Sequence, residues 1–89
     1  MLRLTIVSRN SEKVVLQVDG WLAGANVDLL EQEGIFHLRE SKYLMLDLKG
    51  VKFIDQIGIA LLQDWSGEQL ILRGGSPFVQ MLLKDHGLD

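Results

Sequence analysis

Residues 43–58 read YLMLDLKGVKFIDQIG, and the way this stretch divides decides the fold. Tyr43 to Leu48 are nearly all apolar and sit between Lys42 and the pair Lys49-Gly50, the pattern of a central parallel strand with helices over both faces. Val51 to Ile54 extend that strand beyond a bend at Gly50. Asp55 then stands where an N-cap belongs, ahead of the run IGIALLQDW at 57–65, which reads as a helix stopped by Gly67. A strand therefore passes into a helix at Asp55-Gln56-Ile57-Gly58, the kind of junction at which many proteins carry chemistry.

Working outward, LRLTIV at 2–7 alternates large apolar residues with others and predicts an edge strand with one wet face. The polar turn SRNSEK follows, then VVLQV at 14–18, a strand covered on both sides that ends at Asp19-Gly20. So short a connection makes these two strands antiparallel. VDLLEQEGIFHLRE at 27–40 puts Val27, Leu30, Ile35 or Phe36, and Leu38 at helical spacing, with acidic residues near the start and Asn26 as N-cap. Gly34 in its interior costs up to ~1 kcal/mol relative to alanine, so either the helix is weak there or another backbone approaches closely.

QLILR at 69–73 predicts a further short buried strand. Ser76-Pro77 then supplies an N-cap and a first helical residue for a helix through FVQMLLKDHG, with Gly87 as its stop. The expected order is β-β-α-β-α-β-α, an α/β domain with a small, mostly parallel sheet and right-handed crossovers.

With 89 residues, 47% hydrophobic and 24% charged, the chain can build one domain and one core. Domains of this size bury little more than ~60% of their unfolded surface, so an association surface is expected. The net charge is −3 and the nine Lys and Arg residues are scattered, which argues against a nucleic-acid partner. Absence of cysteine removes disulfides, thiol nucleophiles and Cys-type zinc sites, and fits a reducing compartment. No apolar run approaches the ~20 residues of a membrane span, and MLRLTIVSRN lacks the features of a signal peptide. A cytoplasmic protein without membrane insertion is expected.

Three segments, in order and spacing, resemble the STAS domains, the sulfate-transporter and anti-sigma-factor-antagonist family. They are VVLQVDGWL at 14–22, LMLDLKGVKFIDQIGIALL at 44–62 and LRGGSPFVQMLLKDHGLD at 72–89, so the resemblance covers essentially the whole chain. It implies a non-enzymatic interaction module. In the family, an Asp-x-Ser/Thr-Gly junction carries a hydroxyl that a partner kinase phosphorylates, and dephosphorylation restores binding to that kinase. Asp55 and Gly58 match this pattern, whereas Ile57 stands at the phosphosite and has no acceptor oxygen. Ala23 occurs where many members carry an acidic or hydroxyl residue. The chain stops at Asp89, about where members add another strand and helix, so the resemblance implies a domain shortened at its C-terminus.

Asp55 serves more naturally as a helix cap than as a general base. Gly58 admits two readings, close approach of a partner's backbone or a tight helix start. If Ile59 and Leu62 face the sheet, then Ile57, Leu61 and Trp65 form a second stripe at i, i+4 and i+8, either extra core or an exposed recognition surface. Trp21 and Leu22 lie on the loop that the family places beside the junction, so the expected partner-binding set is Trp21, Leu22, Asp55, Gln56, Ile57, Gly58, Leu61 and Trp65.

By resemblance the partner is an anti-sigma factor or switch kinase, another STAS protein, or a transporter ATPase. The missing hydroxyl favours the latter two. A symmetric homodimer that consumes the apolar stripe is a further reading, and a small nucleotide-binding domain using the helix start at Asp55–Gly58 is the alternative from another class. No glycine-rich phosphate motif supports the latter, because Gly74-Gly75-Ser76 lacks the required spacing and lysine. His37 and His86 belong to no ligand spacing, so surface or helix-end roles are expected and no metal or cofactor is implied. Ser66 and Ser76 are the hydroxyls to which a relocated switch would fall.

Overall fold

Leu2–Arg9 (β1) and Lys13–Leu22 (β2) form an antiparallel hairpin. Its turn is held by Asn10, whose side-chain oxygen accepts from the amides of Glu12 at 2.8 Å and Lys13 at 2.9 Å. The computed structural model describes residues 1–67 and 69–88; Glu68, and Asp89 at the end of the third family segment, lie outside the described residues. The chain continues through Asn26–Glu40 (α1), Tyr43–Ile54 (β3), Gln56–Trp65 (α2), Leu70–Arg73 (β4) and Pro77–Asp85 (α3). This is the order expected from the sequence. The sheet runs β1-β2-β3-β4, with β2, β3 and β4 mutually parallel.

The helices cover one face of this sheet, not two. Strands β2, β3 and β4 advance across the sheet in a single direction, so right-handed crossovers must pass over the same side each time. Val14, Leu16, Val18, Leu44, Leu46 and Leu48 point to that side and share one core with Val27, Leu30, Ile59, Leu62, Val79 and Leu83 from the three helices. Residues of opposite parity, including Arg3, Thr5, Gln17, Asp47 and Arg73, line an open face on which Arg73 Nη2 lies 3.4 Å from Asp47 Oδ2. A hydrophobic run such as YLMLDL looks two-sided because Met45 is itself half-buried on the open face. The short strand β4 is also less buried than its composition suggests, since it forms the sheet edge.

Two helix caps follow the sequence and one does not. Ser76 Oγ accepts from Val79 N at 3.1 Å with Pro77 at the first helical position. At the other end of α3, Gly87 adopts φ 74°, its amide bonding Lys84 O and that of Leu88 bonding Leu83 O, a Schellman closure. In α1 the N-cap is Ala25, with no side-chain cap, because Asn26 instead donates from Nδ2 to Trp21 O at 3.1 Å.

The inward face of α1 is also rotated from the expected one. Its buried residues are Val27, Leu30, Gly34 and His37, while Ile35 and Phe36 face solvent. Gly34 is required because a β-carbon there would strike the indole of Trp65, so a side chain of α2, and not a backbone, makes the close approach. His37 is 1% exposed, which corrects the expected surface role. Glu33 Oε2 lies 3.3 Å from its Nε2 without hydrogen-bond alignment, and neither ring nitrogen has a partner among the described residues.

Candidate functional site

The junction at Asp55 is built by the carboxylate itself. Asp55 has extended backbone geometry, and its Oδ1 accepts from Gly58 N at 2.8 Å, which satisfies one of the unpaired amides of the first turn of α2. Its Oδ2 accepts from Gly24 N at 2.9 Å, so the same side chain ties the loop after β2 to the start of α2. Asp55 N in turn donates to Leu22 O at 3.2 Å. These bonds, that from Gly58 first and that from Gly24 second, hold the Asp55 carboxyl below its ordinary pKa. A carboxylate fixed at this helix terminus occupies the place an incoming anion would take, which counts against the nucleotide-binding reading.

Packing within the chain accounts for Gly58. A β-carbon there would lie 2.6 Å from Leu22 O and 2.9 Å from Ile54 Cγ2. The tight helix start is therefore sufficient reason for the glycine.

Ile57 follows from the same geometry. It occupies the first turn of α2 and is 56% exposed, an apolar side chain on a surface that packs nothing from its own chain tightly. Trp21, at the end of β2, is 51% exposed, and its ring meets that of Phe53 at 5.4 Å between centroids with a 53° tilt. Trp21 pairs with Phe53 across the β2–β3 ladder, which places both beside the junction. Gln56 is exposed as well.

The expected stripe Ile57, Leu61 and Trp65 is not a single exposed row. Leu61 is 5% exposed and belongs to the core. Trp65 is half-buried and packs against the core near Gly34 of α1. Leu22 is fully buried. A ten-residue helix lying in the crease between the sheet and α1 buries more of its circumference than one lying on the sheet alone, and this draws Leu61 inward.

Two features were missed from the sequence. Phe53 is one; within VKFI its only local signal is that of a strand residue. The other is a cavity of about 570 Å³ on the far side of the junction between α2 and α3, with Phe53, Ile59 and Leu82 as apolar lining and Gln56, Gln63 and His86 at polar positions. His86 is the C-cap of α3, a helix-end position as expected, and its carbonyl accepts from Gln63 Nε2 at 3.2 Å. Among the described residues no three His, Cys, Asp or Glu side chains converge as metal ligands, and no helix is long and apolar enough to cross a membrane.

The fold and site define a class: a small α/β domain whose parallel strands end in an exposed strand-to-helix junction capped by an aspartate. The chain is similar in structure to the anti-sigma factor antagonist SpoIIAA in its unphosphorylated form, with a TM-score of 0.76 and 20% sequence identity over 99% of this chain and 82% of that one. Its sequence matches the STAS domain over residues 4–89, and the chain belongs to that family. No curated protein matches the sequence.

Proposed function

We propose that this chain is a non-enzymatic protein-interaction module that captures a partner at the Asp55–Gly58 junction and is not switched by phosphorylation there. The observation that carries this reading is Ile57. An isoleucine left exposed on the first turn of a helix, beside an exposed Trp21, is an apolar surface of the kind that anchors interfaces. Asp55 and Gly58 form the frame that holds it, and Gln56 supplies polar rim. Leu22 and Leu61 are buried near it, while Trp65, at the other end of α2, packs against Gly34 of α1. Phe53 joins the surface to the neighbouring cavity, which can receive an apolar anchor from the partner.

The partners proposed are those the family suggests: an anti-sigma factor or switch kinase, another STAS protein, or a transporter ATPase, met in the cytoplasm. Because Ile57 offers no hydroxyl, phosphorylation cannot govern binding at that position. Incubation with such a kinase and ATP, followed by mass spectrometry, is expected to leave residues 55–58 unmodified. Ser76 Oγ is committed to the cap of α3, and Ser66 Oγ donates to Gln63 O at 2.7 Å, but both residues are exposed. Stoichiometric phosphate on either, with partner release, would show that the switch has moved.

A further inference from the structure

The two edges of the sheet differ. β1 carries a bulge between Ile6 and Ser8, a device that blunts an edge against pairing. β4 is regular over Leu70–Arg73 and lies last in the order, so among the described residues nothing pairs with its outer side. Leu44 N donates to Gln69 O at 2.8 Å, and β3 and β4 run parallel. Alternation along that ladder turns the backbone groups of Gln69, Ile71 and Arg73 towards β3 and leaves the N–H and C=O of Leu70 and Leu72 on the open side.

The side chains around these groups indicate the occupant. An antiparallel copy of β4 about a twofold axis at Ile71 sets Leu70 of each chain opposite Leu72 of the other. Both are hydrogen-bonding positions, so every outward backbone group of the two leucines finds a partner. On the open face Ile71 meets its own copy and Arg73 comes opposite Gln69, so no like charges face each other. Ile71, Met45 and Val15 are register partners across β4, β3 and β2, and the apolar row they form runs unbroken into the second copy. Moving the axis to Leu70 or Leu72 would set Ile71 against Gln69 or Arg73 instead. On the helix side Leu70 and Leu72 are half-buried, and shallow grooves of about 310 and 270 Å³ lie over them beside Leu88, with room for the opposing leucines.

We propose that two copies of this chain associate edge to edge through β4, antiparallel about a twofold axis at Ile71, into one continuous sheet with all helices on the same side. The contact is isologous and closes at two copies. Four strand residues from each chain are far fewer than the ~20–30 a side of a standard interface, so the association is reversible and depends on concentration.

Sedimentation equilibrium of the full chain over a wide concentration range tests this, and a monomer–dimer equilibrium is expected. Ile71→Lys and Ile71→Glu each place like charges beside the axis, and each should raise the dimer dissociation constant by about tenfold or more. An equimolar mixture of the two variants should dimerise again, because opposite charges then meet there. In the unaltered chain, solvent exchange of the Leu70 and Leu72 amides, followed by NMR, should slow as concentration rises. A monomer at every concentration overturns the proposal, as does a dimer indifferent to Ile71→Lys. A mixture as weak as its components, or Leu70 and Leu72 amides that exchange alike at all concentrations, overturns it equally.

Discussion

Replacing Asp55 with alanine tests the frame of the site. Loss of the bond to Gly58 N removes an N-cap, which costs about 0.5–2 kcal/mol. Loss of the bond to Gly24 N adds about 0.5–1 kcal/mol, at the low end for a hydrogen bond because that amide is exposed and water can replace the carboxylate. The expected total is about 1–3 kcal/mol, a lowering of the melting temperature by roughly 4–24 °C in a domain of this size. Urea unfolding followed by circular dichroism measures it. Asp55→Asn keeps one acceptor oxygen and should fall between the two.

The pH dependence has a definite sign. A carboxyl whose pKa is lowered by folding contributes stability that is fully present above its unfolded pKa and is lost as pH falls through the folded one. The gap between wild type and Asp55→Ala should therefore be widest near neutrality and close in acid. A gap under about 0.5 kcal/mol at neutral pH, within the range of ordinary surface substitutions, or one that does not close in acid, refutes the capping role.

Two substitutions test the packing of α1 within the domain. Gly34→Ala should destabilise the domain by up to about 2 kcal/mol in denaturant titration, because displacing the Trp65 ring, at about 1–3 kcal/mol, outweighs a helix-propensity gain of up to ~1 kcal/mol; a more stable variant would show that α1 and α2 do not meet there. His37→Leu should raise the unfolding free energy by about 1 kcal/mol, and the midpoint with it, since it removes buried nitrogens without partners and keeps a similar volume. A lowered midpoint would mean that the imidazole does find partners.

Much of the fold is legible because local signals agree with one another. The Asp55 and Ser76-Pro77 helix starts, the Gly87 stop and the short turn at Asn10 each carry their own chemistry, and the element order follows from them. What is not legible depends on what lies across from a residue. Asn26 has the right type for a cap, yet Trp21 O lies within its reach. Leu61 fits an exposed stripe by periodicity, yet the crease beside α1 buries it. His37 is buried because α1 is turned so that Gly34 meets Trp65, a pairing between residues 31 apart that no local pattern encodes. Coverage of only one sheet face likewise follows from strand order, which hydrophobicity does not report.

The junction shows the same division. Asp55 as a cap and Ile57 as the residue without a hydroxyl are readable from the chain. The second bond of Asp55, to Gly24, and the tilted contact of Phe53 with Trp21 require the β2–β3 pairing before they can be seen.

The most direct measurement is a titration of Ile57→Glu and wild type against a purified anti-sigma kinase, STAS protein or transporter ATPase that binds the wild type, with urea unfolding of both chains alongside. An exposed side chain makes the substitution cheap, so the unfolding free energies should agree within about 0.5 kcal/mol while partner affinity falls by about tenfold or more. Undiminished binding by Ile57→Glu, or a variant that unfolds, would contradict the placement of the recognition surface at this junction.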